Sequence, residues 1–70
     1  MSQVNADQYT YRVRWSGEDD GFVGTVAELP SLSWIALQQI DALVGIRSLV
    51  EDVLEEMLES GESPPQVPMR

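Results

Sequence analysis

The sequence predicts an α+β domain in which one long amphipathic helix packs across one face of a small antiparallel sheet. The helix is indicated by the stretch Gln39–Ser60, whose apolar residues recur every three or four positions. The sheet is indicated by residues 9–15, where side-chain polarity alternates, and by the Asp20-Gly21 turn before a second run at 22–27. A three-stranded meander, with residues 32–37 as its third strand, is the simplest arrangement that covers the apolar face of the helix.

The first predicted strand divides its side chains between the two faces of the sheet, because successive residues of a strand point in opposite directions. One face comprises Tyr9, Tyr11, Val13 and Trp15, and the other comprises Thr10, Arg12 and Arg14. We expect the aromatic face to meet the helix and the arginine face to stay open. In the return strand, Gly24 indicates a bulge or a close approach of another part of the backbone.

The predicted helix carries a continuous apolar stripe that comprises Leu43, Ile46, Val50, Val53, Leu54 and Met57. A helix with such a stripe is not stable alone in water, so the sheet or a partner must cover it. No Ser, Thr, Asp or Asn stands before the helix to cap its first turn. At the other end, Gly61 and the Pro64-Pro65 pair indicate termination.

These elements form one domain, since 70 residues are enough for a single modest core. We expect a flexible segment over residues 1–8, the α+β domain over 9–62 and an extended, proline-rich tail over 63–70. Residues 66–69 could add a fourth strand, which Pro68 would restrict to an edge of the sheet. Because the core is small and the helix stripe is broader than three strands readily cover, we also expect a homodimer.

The charge of the chain restricts its partners. Twelve acidic residues oppose four arginines, which gives a net charge of −8, and the chain has no Lys, His or Cys. Nucleic acid and acidic membranes are poor partners for such a chain, because phosphate binding needs clustered cations. A basic protein is the natural complement. Without His, Cys or Lys, the usual general bases and nucleophiles are missing, so we predict no enzyme activity, no metal site and no cofactor.

The sequence also gives an expectation about location. The first eight residues are polar and lack the apolar core of a signal peptide. No apolar run approaches 18 residues, the length that a membrane-spanning helix requires. We therefore expect a cytoplasmic protein.

A series of short motifs resembles the HicB-like antitoxin family. The motifs are YRVRWS at 11–16, EDDGFVGTV at 18–26, ELPSLS at 28–33, Ala42-Leu43 in the long helix, and Gly61 followed by prolines. In that family, a strand ending in Trp-Ser leads through an Asp-Gly-aromatic turn into a second strand, and a Glu-Leu-Pro-Gly-Leu-Ser stretch and a long helix follow. The similarity extends over about residues 9–68.

The resemblance implies a partial RNase-H-like fold that neutralises a small, basic, RNA-cleaving toxin of the HicA type. This chain departs from the family at Ser31, where glycine is usual, and at Leu37-Gln38, where an Asp-Thr pair usually caps the helix. Many members also carry a C-terminal DNA-binding module, which we do not expect in a chain that ends at residue 70, so transcriptional repression is not part of the expectation.

Asp19 and Asp20 form an adjacent carboxylate pair that admits two interpretations. Clustered carboxylates are the ligands that hard cations prefer, which is consistent with a metal site or the remnant of a nuclease. Asp-Gly also adopts the backbone conformations that a hairpin requires. We favour the turn interpretation, because neither strand supplies a third acid.

The acidic side of the helix is the candidate partner-binding surface, and its members are Glu55, Glu56 and Glu59, with Asp19 and Asp20 added from the turn. Like charges at i, i+4 spacing destabilise a helix, and anions near its C-terminus are disfavoured by the helix dipole. These costs are consistent with a cationic partner that docks there. Of the two interpretations we favour the alternative, an ordinary solvated face that keeps a small protein soluble.

Four residues are candidates for an interface between copies: Arg12, Arg14, Trp34 and Ile35. The arginines could pair with acids of a second copy, or they could simply cover an exposed sheet face. Trp34 and Ile35 lie in a run that is apolar on both sides, which indicates either an interface or a buried strand.

The sequence thus leads us to expect a protein-binding function, in which an acidic antitoxin-like domain covers the active surface of a small basic RNase. The alternative is an orphan, non-catalytic homo-oligomer with a structural or regulatory role and no toxin partner. Both require an acidic, compact, non-catalytic domain, so the sequence leaves them open.

Overall fold

The computed structural model describes residues 5–65 and confirms the predicted α+β fold: a three-stranded antiparallel sheet with one long helix packed against it. The elements in chain order are a short 3₁₀ helix at Ala6–Gln8, strands β1 (Tyr11–Ser16), β2 (Gly21–Val26) and β3 (Ser33–Ala36), and helix α1 (Gln39–Ser60). Helix α1 has the predicted bounds. The strands differ from the predicted runs by one or two residues, and Tyr9 lies before β1 rather than in it.

The sheet has the order β1-β2-β3, with both neighbouring pairs antiparallel. Val13, Gly24 and Trp34 lie opposite one another across the three strands, so their side-chain positions share one face. This is the face that packs against α1. Register is continuous through Gly24, so this glycine does not form a bulge.

Gly24 instead allows the close approach of α1 to the central strand. A Cβ atom at Gly24 would lie 2.7 Å from the carbonyl oxygen of Ala42 and 3.0 Å from Cγ2 of Ile46. Gly45 makes a second close contact, on the flank of the helix that faces β3, where an added Cβ would overlap the indole of Trp34. Two missing side chains therefore let the helix lie directly on the sheet.

The core lies between α1, β2 and the segment that precedes β1. Its most completely buried large side chains are Val26, Ile46 and Val50. Ala6 and Tyr9 join this core and are only 4% and 5% exposed. The sequence favoured a flexible segment over residues 1–8, but the structure gives residues 5–8 a defined conformation.

That conformation is a capping box. The Asn5 side chain accepts a hydrogen bond from the Asp7 amide, while the Gln8 side chain accepts one from the Asn5 amide. The 3₁₀ helix is then tied to the rest of the fold at two points. The Tyr11 hydroxyl donates to the Ala6 carbonyl at 2.6 Å, and the Asp7 carboxylate pairs with Arg47 at 2.6 Å.

Helix α1 is longer than the sheet beneath it. Its 22 residues extend about 33 Å, whereas the six residues of β1 or β2 extend about 20 Å. The 3₁₀ helix covers part of the helix beyond the sheet. The chain after α1 returns to the same region, where the Tyr9 hydroxyl donates to the Pro65 carbonyl at 2.6 Å. Burial raises the pKa of this Tyr9 hydroxyl, with a smaller contribution from the charge of Glu28.

The ends of α1 match the sequence expectations. Gln38 precedes the helix and makes no side-chain capping hydrogen bond. Gly61 has φ = 82° and ends the helix, with its amide bonded to the Leu58 carbonyl and the Glu62 amide bonded to the Met57 carbonyl. This pair of bonds is a Schellman motif, which requires a left-handed residue at the position of Gly61. The predicted edge strand at 66–69 lies outside the described residues.

The close contact at Gly24 predicts the response to adding a single methyl group there. In Gly24→Ala the new Cβ would collide with helix backbone, which cannot move aside as a side chain can, so we expect a loss of about 1–3 kcal/mol or more of unfolding free energy. Gly17→Ala is the matched control, because a Cβ there has 3.9 Å to its nearest neighbour. Urea denaturation measures both variants, and equal stability would contradict the close-packing interpretation.

Glu28 makes a pH-dependent contribution to the stability of the fold. Its carboxylate accepts hydrogen bonds from the Thr10 amide at 2.9 Å and the Thr10 hydroxyl at 3.0 Å. Desolvation raises the pKa of Glu28, but these bonds and one from its own amide outweigh that effect and lower the pKa below its ordinary value. A carboxyl with a lowered pKa stabilises the fold above its unfolded-state pKa, and this contribution is lost as pH falls through the folded-state pKa.

We therefore expect Glu28→Gln to lose about 1 kcal/mol of unfolding free energy at neutral pH. The difference from the wild type should shrink as the pH falls through the folded-state pKa of Glu28, because the wild-type carboxyl then becomes protonated as well. Thermal denaturation over a pH series measures this convergence. A difference that stayed constant across the series would show that the charge of Glu28 does not contribute.

Candidate functional site

The structure separates the five acidic residues that the sequence grouped as one partner-binding surface. Strand β3 ends opposite the start of β2, so α1 begins at the end of the sheet where the hairpin turn with Asp19 and Asp20 lies. Glu55 follows the first residue of α1 by 16 positions, or about 24 Å along the helix axis. The turn acids and the helix acids therefore lie at opposite ends of the molecule and cannot form one small site.

At the hairpin turn, the contacts of the aspartates agree with the turn interpretation. The Ser16 hydroxyl donates to Asp19 Oδ2 at 3.0 Å and accepts from the Asp19 amide at 3.3 Å. Asp20 has φ = 53°, in the left-handed region that Asp tolerates better than most residues. Over residues 5–65, no group of three or more Asp, Glu, His or Cys side chains is placed to hold a metal ion.

The helix acids are exposed and lie outside the ion pairs of the described chain. Glu55, Glu56 and Glu59 all face solvent, and the last turn of α1 contains no basic residue. Among residues 5–65, the ion pairs join Arg47 to Asp7 and, at 3.9 Å, to Glu51. The three glutamates thus form an anionic surface at the end of the helix where its dipole also disfavours anions.

One side of this surface adjoins a shallow concavity of about 230 Å³ between α1 and the chain around the 3₁₀ helix. Its lining residues are Asn5, Ala6, Glu51, Leu54, Glu55 and Leu58. Leu58 is 63% exposed although it is one of the largest apolar side chains of the helix. The concavity therefore combines an apolar floor with two carboxylates.

This combination has a specific chemical use. Arg and Lys side chains lay their aliphatic stems on apolar surface while the charged group remains in a polar environment. Leu54 and Leu58 could hold such a stem, and Glu51 and Glu55 could receive its cation. Sequence analysis missed Glu51 and Leu58 as site residues. Glu51 lies four positions before Glu55, and Leu58 lies four positions after Leu54. Because residues at this spacing are neighbours on a helix surface, the spacing could have identified both.

The four candidate interface residues are also divided by the structure. Arg12, Arg14 and Ile35 lie on the open face of the sheet, where Arg14, Val23 and Ile35 form one cross-strand row. Trp34 lies on the helix face. Arg12 and Arg14 belong to one edge strand and Trp34 and Ile35 to the other, so the four do not form one edge. Trp34 and Ile35 are 43% and 52% exposed, so the buried-strand interpretation is wrong for this chain.

A second exposed apolar surface lies near the hairpin turn. The rings of Trp15 and Phe22 contact each other edge-to-face with centroids 5.1 Å apart, and Trp15 is 54% exposed. Val13, on the same face of β1, lines a small concavity with Ile40 and Leu43 of α1. The first turns of α1 therefore do not fully cover the aromatic end of the sheet.

Comparison with known proteins identifies no relative: no family model, no curated protein and no solved structure matches this chain. Over residues 5–65, no helix combines the length and the apolar character that crossing a membrane requires.

The conformation of Asp20 predicts a contrast between two substitutions. Gly adopts a positive φ without steric cost, so Asp20→Gly should retain or slightly raise the unfolding free energy. A β-branched residue is strained there, so Asp20→Val should lose about 1–2 kcal/mol. Chemical denaturation of both variants is the measurement. If Asp20→Gly proved the more damaging of the two, a role of the carboxylate beyond the turn would be indicated.

Proposed function

We propose that this chain is an antitoxin-type protein, similar to the HicB-like family, that binds and occludes a small basic RNase of the HicA type. The motif series over residues 9–68 supports the family assignment. The concavity beside Glu51 and Glu55 carries the proposal of a basic partner, because it offers two carboxylates next to the exposed Leu58 and the buried Leu54.

The charge distribution supports the same partner class. The chain carries a net charge of −8, and α1 contributes exposed acids at Asp41 and, in its second half, over residues 51–59. Complementary charge accelerates encounter and suppresses partners of the wrong sign, although the affinity of an exposed pair is modest. An RNase must itself attract phosphate, so its active surface is cationic and is complementary to this helix.

The proposed mechanism is occlusion. A cationic side chain of the toxin enters the concavity, with its stem on Leu54 and Leu58 and its charge between Glu51 and Glu55. The acidic helix then lies where the RNA backbone would otherwise bind, and the catalytic group of the toxin is buried. This chain needs no catalytic residue of its own for this role.

The first test is capture of the partner. The tagged chain is used to pull down proteins from its own cell lysate at low and moderate salt, with identification by mass spectrometry. We expect a small basic protein that is released as salt rises, because salt screens exposed charge pairs. The purified partner should cleave RNA, and addition of this chain should stop cleavage. A partner that is acidic, or that does not cleave RNA, would contradict the proposal.

The second test locates the contact with two variants that remove the same number of charges. Glu51→Gln/Glu55→Gln removes the carboxylates of the concavity, whereas Asp52→Asn/Glu56→Gln removes two acids on the other flank of α1, turned by about 100°. We expect the first variant to weaken partner binding by about tenfold or more, equivalent to at least 1.4 kcal/mol, and the second to weaken it much less. Equal losses would indicate a general charge effect and no use of the concavity.

The alternative function, an orphan homo-oligomer, is favoured by one specific observation. The exposed apolar side chains of β3 leave a surface that the described chain does not cover. Recovery of only the chain itself in the pull-down would shift the assignment to this alternative.

A further inference from the structure

The charges of this chain are distributed unevenly, and β3 lies in the part that has none. Twelve consecutive residues between Glu28 and Asp41 carry no charged side chain. This uncharged segment includes all of β3 (Ser33–Ala36) and the residues that lead into α1. In a chain with a net charge of −8, this is the longest uncharged segment. Another anionic molecule that contacts its exposed residues meets no charge repulsion from them.

Strand β3 is also an edge of the sheet. On its inner side it pairs with β2, and on its outer side no strand of residues 5–65 lies beside it. An edge strand presents main-chain N–H and C=O groups that can pair with another strand. Its two large side chains are apolar and open to solvent: Trp34 is 43% exposed and Ile35 is 52% exposed, and Leu37, just beyond the strand, is 84% exposed.

The opposite edge of the sheet is unsuited to self-pairing. If two copies of β1 paired antiparallel about Val13, Arg12 of one copy would lie opposite Arg14 of the other on the same face. Like charges directly opposite each other destabilise a strand pair. Charged residues on an edge strand are a common protection against such pairing. Strand β3 lacks this protection.

We propose that β3 pairs antiparallel with β3 of a second copy of this chain, which joins two three-stranded sheets into one six-stranded sheet. Residues directly opposite each other in an antiparallel pair point to the same face. A two-fold symmetric register is therefore centred on Trp34 or on Ile35. A register centred on Trp34 places Trp34 opposite its copy on the helix face and Ile35 opposite Ser33 on the open face. A register centred on Ile35 places Ile35 opposite its copy on the open face and Trp34 opposite Ala36 on the helix face.

A second copy is the occupant that this surface fits best. An antiparallel edge is self-complementary, since the outward N–H and C=O groups of each strand meet those of an identical strand. A basic partner gains nothing from an uncharged segment, whereas an anionic chain can approach it without repulsion. The proposal does not depend on the proposed antitoxin function, because Glu51 and Glu55 on α1 do not belong to this segment.

The test is a lysine placed on the edge, compared with the same change elsewhere. Wild type, Ile35→Lys and Leu58→Lys are compared over a range of concentrations by light scattering after size-exclusion chromatography. Ile35 and Leu58 are 52% and 63% exposed, so the monomer should fold in both variants, which circular dichroism checks. Both variants change the net charge by the same amount, so any general effect of charge is common to them.

We expect the wild type to reach twice its chain mass of 7.8 kDa, and Ile35→Lys to raise the dissociation constant by about tenfold or more, while Leu58→Lys leaves it nearly unchanged. A wild type that stayed monomeric up to about millimolar concentration would overturn the proposal. So would a dimer that Leu58→Lys disrupts and Ile35→Lys does not.

Hydrogen exchange distinguishes edge pairing from stacking of the two open sheet faces, which Ile35→Lys would also disrupt. Edge pairing protects the outward amides of β3 on dimerisation, because they become hydrogen-bonded between copies. We expect this protection in the concentrated wild type and its loss on dilution. A dimer without added protection in β3 would overturn the edge-pairing proposal.

Discussion

The fold depends on the contact between the backbone of α1 and the backbone of β2 at Gly24. At this point no side chain separates the two elements, since a Cβ atom would lie 2.7 Å from the Ala42 carbonyl oxygen. The same contact brings Ile46 and Val50 within reach of Val26, and these are the three most buried large side chains. A chain of 70 residues has few core side chains, so close approach of its two layers increases the contacts of each. Gly45 repeats the arrangement at the helix flank, where the indole of Trp34 occupies the missing side-chain volume.

Helix α1 is longer than the strands it packs on, so it extends past the sheet. This explains why the segments before β1 and after α1 pack near its end. The last turns of α1 have no strand beneath them. Ala6 and Tyr9 provide part of the missing cover, and the Asp7–Arg47 ion pair and the Tyr9–Pro65 hydrogen bond hold that cover in place. The same arrangement forms the concavity with Glu51 and Glu55, because Asn5 and Ala6 line it together with α1.

The sequence was sufficient for features that depend on local pattern. The helix bounds and the Gly61 terminus each follow from spacing or from a residue type with a specific backbone property. At Gly24 the sequence left a bulge and a close approach open, and the structure shows the close approach. The capping box at Asn5 and Gln8 was overlooked, although Asn followed three positions later by Gln is its signature. The exposure of β3 was not predictable in the same way, because an apolar strand has the same pattern whether a neighbour covers it or not.

The grouping of the acids failed for a different reason: it used charge without topology. Asp19, Asp20 and the helix glutamates have the same charge, but the meander places the hairpin turn at the start of α1 and the glutamates near its end.

Topology also divides the surface into regions of different chemistry. The outward side of α1 is anionic, the open sheet face carries Arg12 and Arg14, and the β3 edge is uncharged. Because these regions lie on different elements, a basic protein on the helix and a second copy at the β3 edge would contact different residues. A dimer formed at that edge would then present two anionic helices on the same face of one continuous sheet, and a partner with two cationic sites could bind both with the gain in affinity that bivalent binding provides.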